Sequence, residues 1–121
     1  MLVKSSLHVR YLILKNSGIT LNPTTFTTVS KGYAVSIKGL QVSTIEYFKS
    51  FDGLTRLTRN LDYCLENNAY YGAWLHHNGK GFIVFQSVTM VYDSLNEALE
   101  VAKKHRQKAI YSLHENKEIW L

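Results

Sequence analysis

Along Leu7 to Lys15 the residues alternate, with Leu7, Val9, Tyr11 and Ile13 on one side and His8, Arg10, Leu12 and Leu14 on the other. A period of two predicts a strand. Asn16-Ser17-Gly18 then reads as a turn. The Thr-rich stretch from Pro23 to Ser30 is an edge strand or a loop, because Pro23 has no N–H to give to a ladder. Gly32 to Lys38 alternates again and predicts a second strand, closed by Gly39.

The period then changes. Ser43 followed by Glu46 has the spacing of a capping box and marks a helix start. Asp52-Gly53 interrupts that helix, and a second helical run carries Leu54, Leu57, Leu61, Cys64 and Leu65 on one stripe until Asn67-Asn68. Two apolar strands, Ala69 to His76 and Gly81 to Met90, flank His77-Asn78-Gly79-Lys80. The Asn-Gly pair favours a type I′ hairpin, since both residues tolerate positive φ. Ser94 with Glu97 is a second capping box, and Leu95, Ala98, Leu99, Val101 and Ala102 form the buried face of its helix. Lys103, Lys104, His105 and Arg106 crowd the C-terminal end, where positive charge complements the helix dipole. A last hairpin, Ala109 to Leu113 and Glu118 to Leu121, ends the sequence.

The expected fold class is α+β. The order is β-β(-β)-α-β-β-α-β-β, a mainly antiparallel sheet with two helical segments packed on one face. The 121 residues show no repeat, linker or low-complexity stretch and are expected to form a single domain, 1–121. Apolar runs such as Phe82-Ile83-Val84-Phe85 are far shorter than the roughly 20 residues of a membrane span, and Lys4 breaks any leader-like start. One cysteine, Cys64, cannot form an intrachain disulfide, which fits the cytoplasm.

Formal charge is +5, from 14 Lys and Arg against 9 Asp and Glu. The partner expected from it is anionic: a nucleotide, a nucleic acid or an acidic protein surface. Simple solubility explains the charge equally well.

Catalytic chemistry finds little support. His76 and His77 are adjacent and point to opposite faces of a strand, so they do not build a zinc site with Cys64. Cys64 lies on an apolar helical stripe and reads as a structural thiol. Walker and dinucleotide motifs are missing, and Gly72, Gly79 and Gly81 belong to a hairpin rather than to a phosphate loop. His105 or His114 with Lys108 keeps a metal-free nuclease as an alternative. No cofactor, metal or catalytic residue is expected.

Aromatic and basic groups remain. There are 8 Tyr, 5 Phe and 2 Trp. Phe48, Phe51 and Trp74 are assigned to the core. Rings left on an uncovered sheet face would stack on a base, each stack contributing roughly 1–3 kcal/mol. They would equally suit a homo-oligomer interface. Arg56 and Arg59 share a helix face, and Arg106 and Lys108 follow the last helix; either pair would hold phosphates.

Lys31-Gly32-Tyr33-Ala34-Val35, Tyr71-Gly72-Ala73-Trp74, Asp93-Ser94-Leu95-Asn96-Glu97-Ala98 and Gln107-Lys108-Ala109-Ile110-Tyr111-Ser112-Leu113 resemble a class of small bacteriophage proteins. Within it the chain is similar to the anti-Thoeris proteins that sequester cyclic ADP-ribose signals, mainly over residues 69 to 121. The resemblance implies an oligomeric sponge in the host cytoplasm that binds a cyclic nucleotide, cyclic oligonucleotides included, without cleaving it. The matching positions are Phe82 and Tyr92 for the base and Arg56, Arg59 and Arg106 for phosphate; Lys108 departs from an arginine pattern. The alternatives are an inhibitor that occludes a host defence enzyme and a small nuclease or nucleic-acid binder.

Overall fold

A computed structural model describes residues 3–77 and 79–121. Val3–Asn16 is a helix, α1, and not the expected strand. It buries Ser6, Val9 and Ile13, which are three and four residues apart, while Leu7 and Tyr11 are exposed. The unbroken apolar run Tyr11–Leu14 fits either period, and tertiary packing selects the helical one. Ser6 Oγ and Thr58 Oγ1, 2.6 Å apart, tie this helix to a later one.

Gly18–Asn22 forms β1 and Thr27–Thr28 forms β2. Pro23 lies in the turn between them, where Asn22 Oδ1 accepts the Thr24 N–H at 2.9 Å. The long strand β3, Tyr33–Thr44, does not stop at Gly39. It continues through two register shifts against its neighbour, between Ser36 and Lys38 and between Gly39 and Gln41.

Ile45–Lys49 is α2 and Phe51–Glu66 is α3. Thr44, not Ser43, caps α2 by accepting the Tyr47 N–H. The break between the helices falls at Ser50, whose hydroxyl accepts the Gly53 N–H and caps α3. On α3, Leu54, Leu57, Leu61 and Cys64 are buried as expected, but Leu65 is exposed. Full burial of each leucine contributes about 1.5–3 kcal/mol.

Tyr70–His77 (β4) and Phe82–Tyr92 (β5) make the central hairpin. His77 pairs with Phe82, so residues 78–81 form the connection, longer than a two-residue type I′ turn. Asn78 itself lies outside the described residues. Gly79 takes φ 86° there, a conformation that glycine adopts without a Cβ penalty. Leu95–Lys104 (α4) is capped by Ser94 as predicted, and Ala109–Ser112 (β6) and Lys117–Trp120 (β7) complete the fold.

The seven strands form one sheet in the order β2-β1-β4-β5-β3-β6-β7. All of its neighbours are antiparallel. The α+β class and the antiparallel sheet are those expected, with four helices among the described residues in place of two segments. Directly paired residues share a face of a sheet. Leu21, Tyr71 and Val88 therefore lie on one face, as do Val35 and Met90. Onto that face pack Val9 and Ile13 of α1, Phe48 of α2 and the α3 stripe. Ala98 and Ala102 of α4 meet Val35 and Ile110 on the same side. The helices thus form a single layer, and among the described residues no helix lies over the other sheet face. Among the described residues no helix is long and apolar enough to cross a membrane.

The corner between α2 and α3 constrains one residue sharply. A Cβ on Gly53 would meet the carbonyl oxygens of Tyr47 and Phe48 well inside van der Waals contact. Gly53→Ala is expected to lower unfolding stability by about 1–3 kcal/mol in denaturant melts, the usual cost of forced overpacking. Unchanged stability would show that the corner yields freely.

A cleft on the uncovered sheet face

The residues of the uncovered face follow from the register. Trp74 opposes Phe85, Gly72 opposes Ser87, Ser36 opposes Thr89 and Val42 opposes Phe85 from the other side. At the centre the side chains are small and hydroxylic. Ser87 and Thr89 are buried, and their hydroxyls lie 3.1 Å apart. The Thr89 hydroxyl occupies the space that a Cβ on Gly72 would need. This is the close approach that makes glycine necessary within β4.

Larger rings border this floor. Trp74 and Phe85 stack with centroids 5.1 Å apart and planes 13° from parallel. Trp74 is 42% exposed and Val42 63%. Trp74 and Phe51, like Phe48, are expected in the core. Only Phe48 is there, since Phe51 is 78% exposed on the helical side.

Between the rings and the bulged part of β3 is a cleft of about 480 Å³. Trp74, Phe85 and Val42 supply its apolar lining; Ser36, Ser87 and Gln107 supply polar groups. Bulges bend a strand and increase its twist, and these two turn residues Gly39 to Val42 into a wall of the cleft. Gln107 arrives through the end of α4. The Arg106 N–H donates to Lys103 O and the Gln107 N–H to Ala102 O, with Arg106 at φ 57°. This left-handed closing turn places Gln107 at the cleft, with exposed Arg106 and Lys108 as its chain neighbours.

A hydrogen-bonded cluster lies behind the cleft, between sheet and α3. The Tyr71 hydroxyl donates to Gln86 Oε1 at 2.6 Å, and Asn60 Nδ2 donates to the same oxygen at 2.9 Å. Gln86 Nε2 donates to Gln41 Oε1 at 3.2 Å. Arg56 joins from the helix, giving Nε to Asn60 Oδ1 at 3.1 Å and Nη2 to the Leu40 carbonyl at 3.0 Å.

The six site residues expected from sequence do not converge as one site. Phe82 is at the hairpin tip, edge-on to His77, and Tyr92 is at the opposite end of β5. That separation is about 33 Å along an extended strand. Tyr92 packs with Tyr33 and Leu99 in the α4 part of the core. Arg56 reaches the back of the cleft wall, Arg59 is exposed on α3, and Arg106 and Lys108 flank Gln107. The stacked pair Trp74 and Phe85 depends on the observed register, in which His77 pairs with Phe82; the two-residue turn expected at Asn78-Gly79 sets Trp74 opposite Ile83 instead.

The histidines of the nuclease alternative occupy separate elements. His105 is the C-cap of α4, while His114, in the β6–β7 turn, meets the Tyr33 ring edge-on at 5.5 Å. Among the described residues, no group of three or more His, Cys, Asp and Glu side chains is placed to hold a metal ion. Compared with known proteins, the chain matches no family model, no curated protein and no solved structure.

Burial pushes the Cys64 thiol from 9.0 up to about 11. The Tyr71 phenol is raised well above its ordinary value by burial first and then by Cys64. The folded state therefore holds these protons more tightly than the unfolded chain does. The Cys64 contribution is fully present below pH 9.0 and is lost as pH rises toward about 11, while that of Tyr71 is fully present up to its own ordinary value of 10.0 and is lost above it. Denaturant midpoints measured from about pH 7 upward should be level and then fall across that window. A flat profile through it would contradict the burial of Cys64.

Proposed function

We propose that this protein is a non-catalytic binder of a nucleotide, with the base against the Trp74–Phe85 pair and the phosphates toward Arg106 and Lys108. The observation that carries this reading is the stacked aromatic pair, partly exposed at the edge of a 480 Å³ cleft on a sheet face without helices. Small-molecule clefts commonly measure about 300–1,000 Å³ and combine apolar walls with a few polar groups. Ser36, Ser87 and Gln107 provide neutral hydrogen-bonding groups for a base edge, and the overall charge of +5 favours an anionic ligand. The narrower role, sequestering a cyclic ADP-ribose or cyclic oligonucleotide signal for a phage, draws its support from the sequence resemblance. A second copy of the chain over the same face would enclose the ligand and raise affinity.

The test is titration calorimetry with cyclic ADP-ribose isomers and cyclic di- and trinucleotides, followed by heat denaturation and chromatography of the released ligand. Tight binding with intact ligand is expected. Trp74→Ala should weaken Kd by about tenfold to a hundredfold, the loss of one base stack at roughly 1–3 kcal/mol, while Trp120→Phe leaves it unchanged. Recovery of cleaved products would make the protein an enzyme. Absence of heat with every nucleotide would overturn the reading and leave Trp74 and Val42 as a surface for a protein partner.

A further inference from the structure

We infer that Arg56 is a positioning residue that clamps the bulged wall of the cleft from behind, and not a phosphate contact. The inference deepens the nucleotide-binding reading and rests on it for its ligand arm; its structural arm stands alone.

β3 is held unequally along its two sides. On one side β5 pairs along its whole length, but on the other β6 pairs only with Tyr33 and Ala34. From Ser36 onward the strand is therefore gripped from one side, and the two register shifts interrupt even that ladder. At the second shift Gly39 pairs with Ser87 and Gln41 with Gln86, so Leu40 is the extra residue. A bulged residue is left out of the ladder, so its backbone groups turn to partners outside it, water included at an exposed site. For the Leu40 carbonyl that partner is Arg56 Nη2, at 3.0 Å. The same guanidinium gives Nε to Asn60 Oδ1, and Asn60 in turn holds Gln86 Oε1 at 2.9 Å and Gln41 Oε1 at 3.4 Å.

The extra residue of the shift and the one after it are thus tied to α3, Leu40 through its backbone and Gln41 through its side chain. Both line the cleft, with Val42 next to them opposite Phe85. A planar fork with two donors in fixed relation suits this task, and a lysine ammonium does not reproduce it. The distance between the β3 wall and the aromatic pair, which decides what thickness of ring fits, is consequently set from the helix layer.

The experiment compares Arg56→Met, Arg56→Lys and, as a charge-matched control, Arg59→Met. Amide hydrogen exchange is followed by NMR at residues 39–42 and, for reference, at Ala73 and Leu75 in β4. Both Arg56 variants are expected to speed exchange at 39–42 about tenfold, in keeping with the loss of hydrogen bonds to a charged group. The β4 amides and the Arg59→Met protein should remain as wild type. Wild-type exchange at 39–42 in Arg56→Met would overturn the inference, as would restoration by Arg56→Lys, because charge alone would then suffice. Cyclic ADP-ribose is titrated in parallel on a Trp120→Phe background, so that Trp74 alone reports by fluorescence. A clamp predicts about tenfold weaker binding in Arg56→Lys, whereas a phosphate contact predicts near-normal binding because the cation is kept. If the wild-type protein fails to bind cyclic ADP-ribose, the exchange rates still decide whether the clamp exists.

Discussion

The side-chain amide of Gln86, 2% exposed between the sheet and α3, joins more of the molecule than any one apolar contact does. Its oxygen accepts hydrogen bonds from Tyr71 on β4 and Asn60 on α3, and its nitrogen donates one to Gln41 on β3. A buried amide left without partners is costly, so this arrangement tolerates only one register of the three strands and one rotation of the helix. Leucine packing from α3 supplies much of the cohesion, but it would accept small slips. The amide cluster does not, and the bulges in β3 are placed with respect to it.

Packing every helix on one side follows from the order of the elements. The hairpin β4–β5 lies at the middle of the sheet, and the segments before and after it return over the same face. The opposite face then must be made acceptable to water without a second layer. Small hydroxyl residues at its centre and aromatic residues toward one side achieve this. They also leave a concave, partly apolar surface that a fully polar face would lack. Fold and cleft are in this sense one solution to a single shortage of covering structure.

Much of this was legible in the residues. The α3 stripe, the Ser94 cap, the central hairpin and the antiparallel character all follow from local periodicity and capping chemistry. α1 was not legible, because Tyr11–Leu14 is apolar at every position and only the partner Thr58, more than 40 residues away, reveals which side faces inward. The path of β3 beyond Gly39 was hidden for another reason: a bulge breaks alternation where alternation is the signal. The same two shifts conceal the cleft, since they decide which of Gly39 to Val42 line it. Arg56 and Arg59 illustrate the limit on charge. Their spacing puts them on one helical face, yet the neighbouring carbonyl that engages Arg56 exists only once the strand has bulged.

The two margins of the sheet carry a consequence for how copies of this protein meet. β2 has two residues, both threonine, and β7 presents Lys117 and Glu118 beside Trp120. A short margin and a charged one are poor templates for strand addition, which is the route by which antiparallel sheets grow into open-ended ribbons. The margins therefore disfavour open-ended growth edge to edge at high concentration.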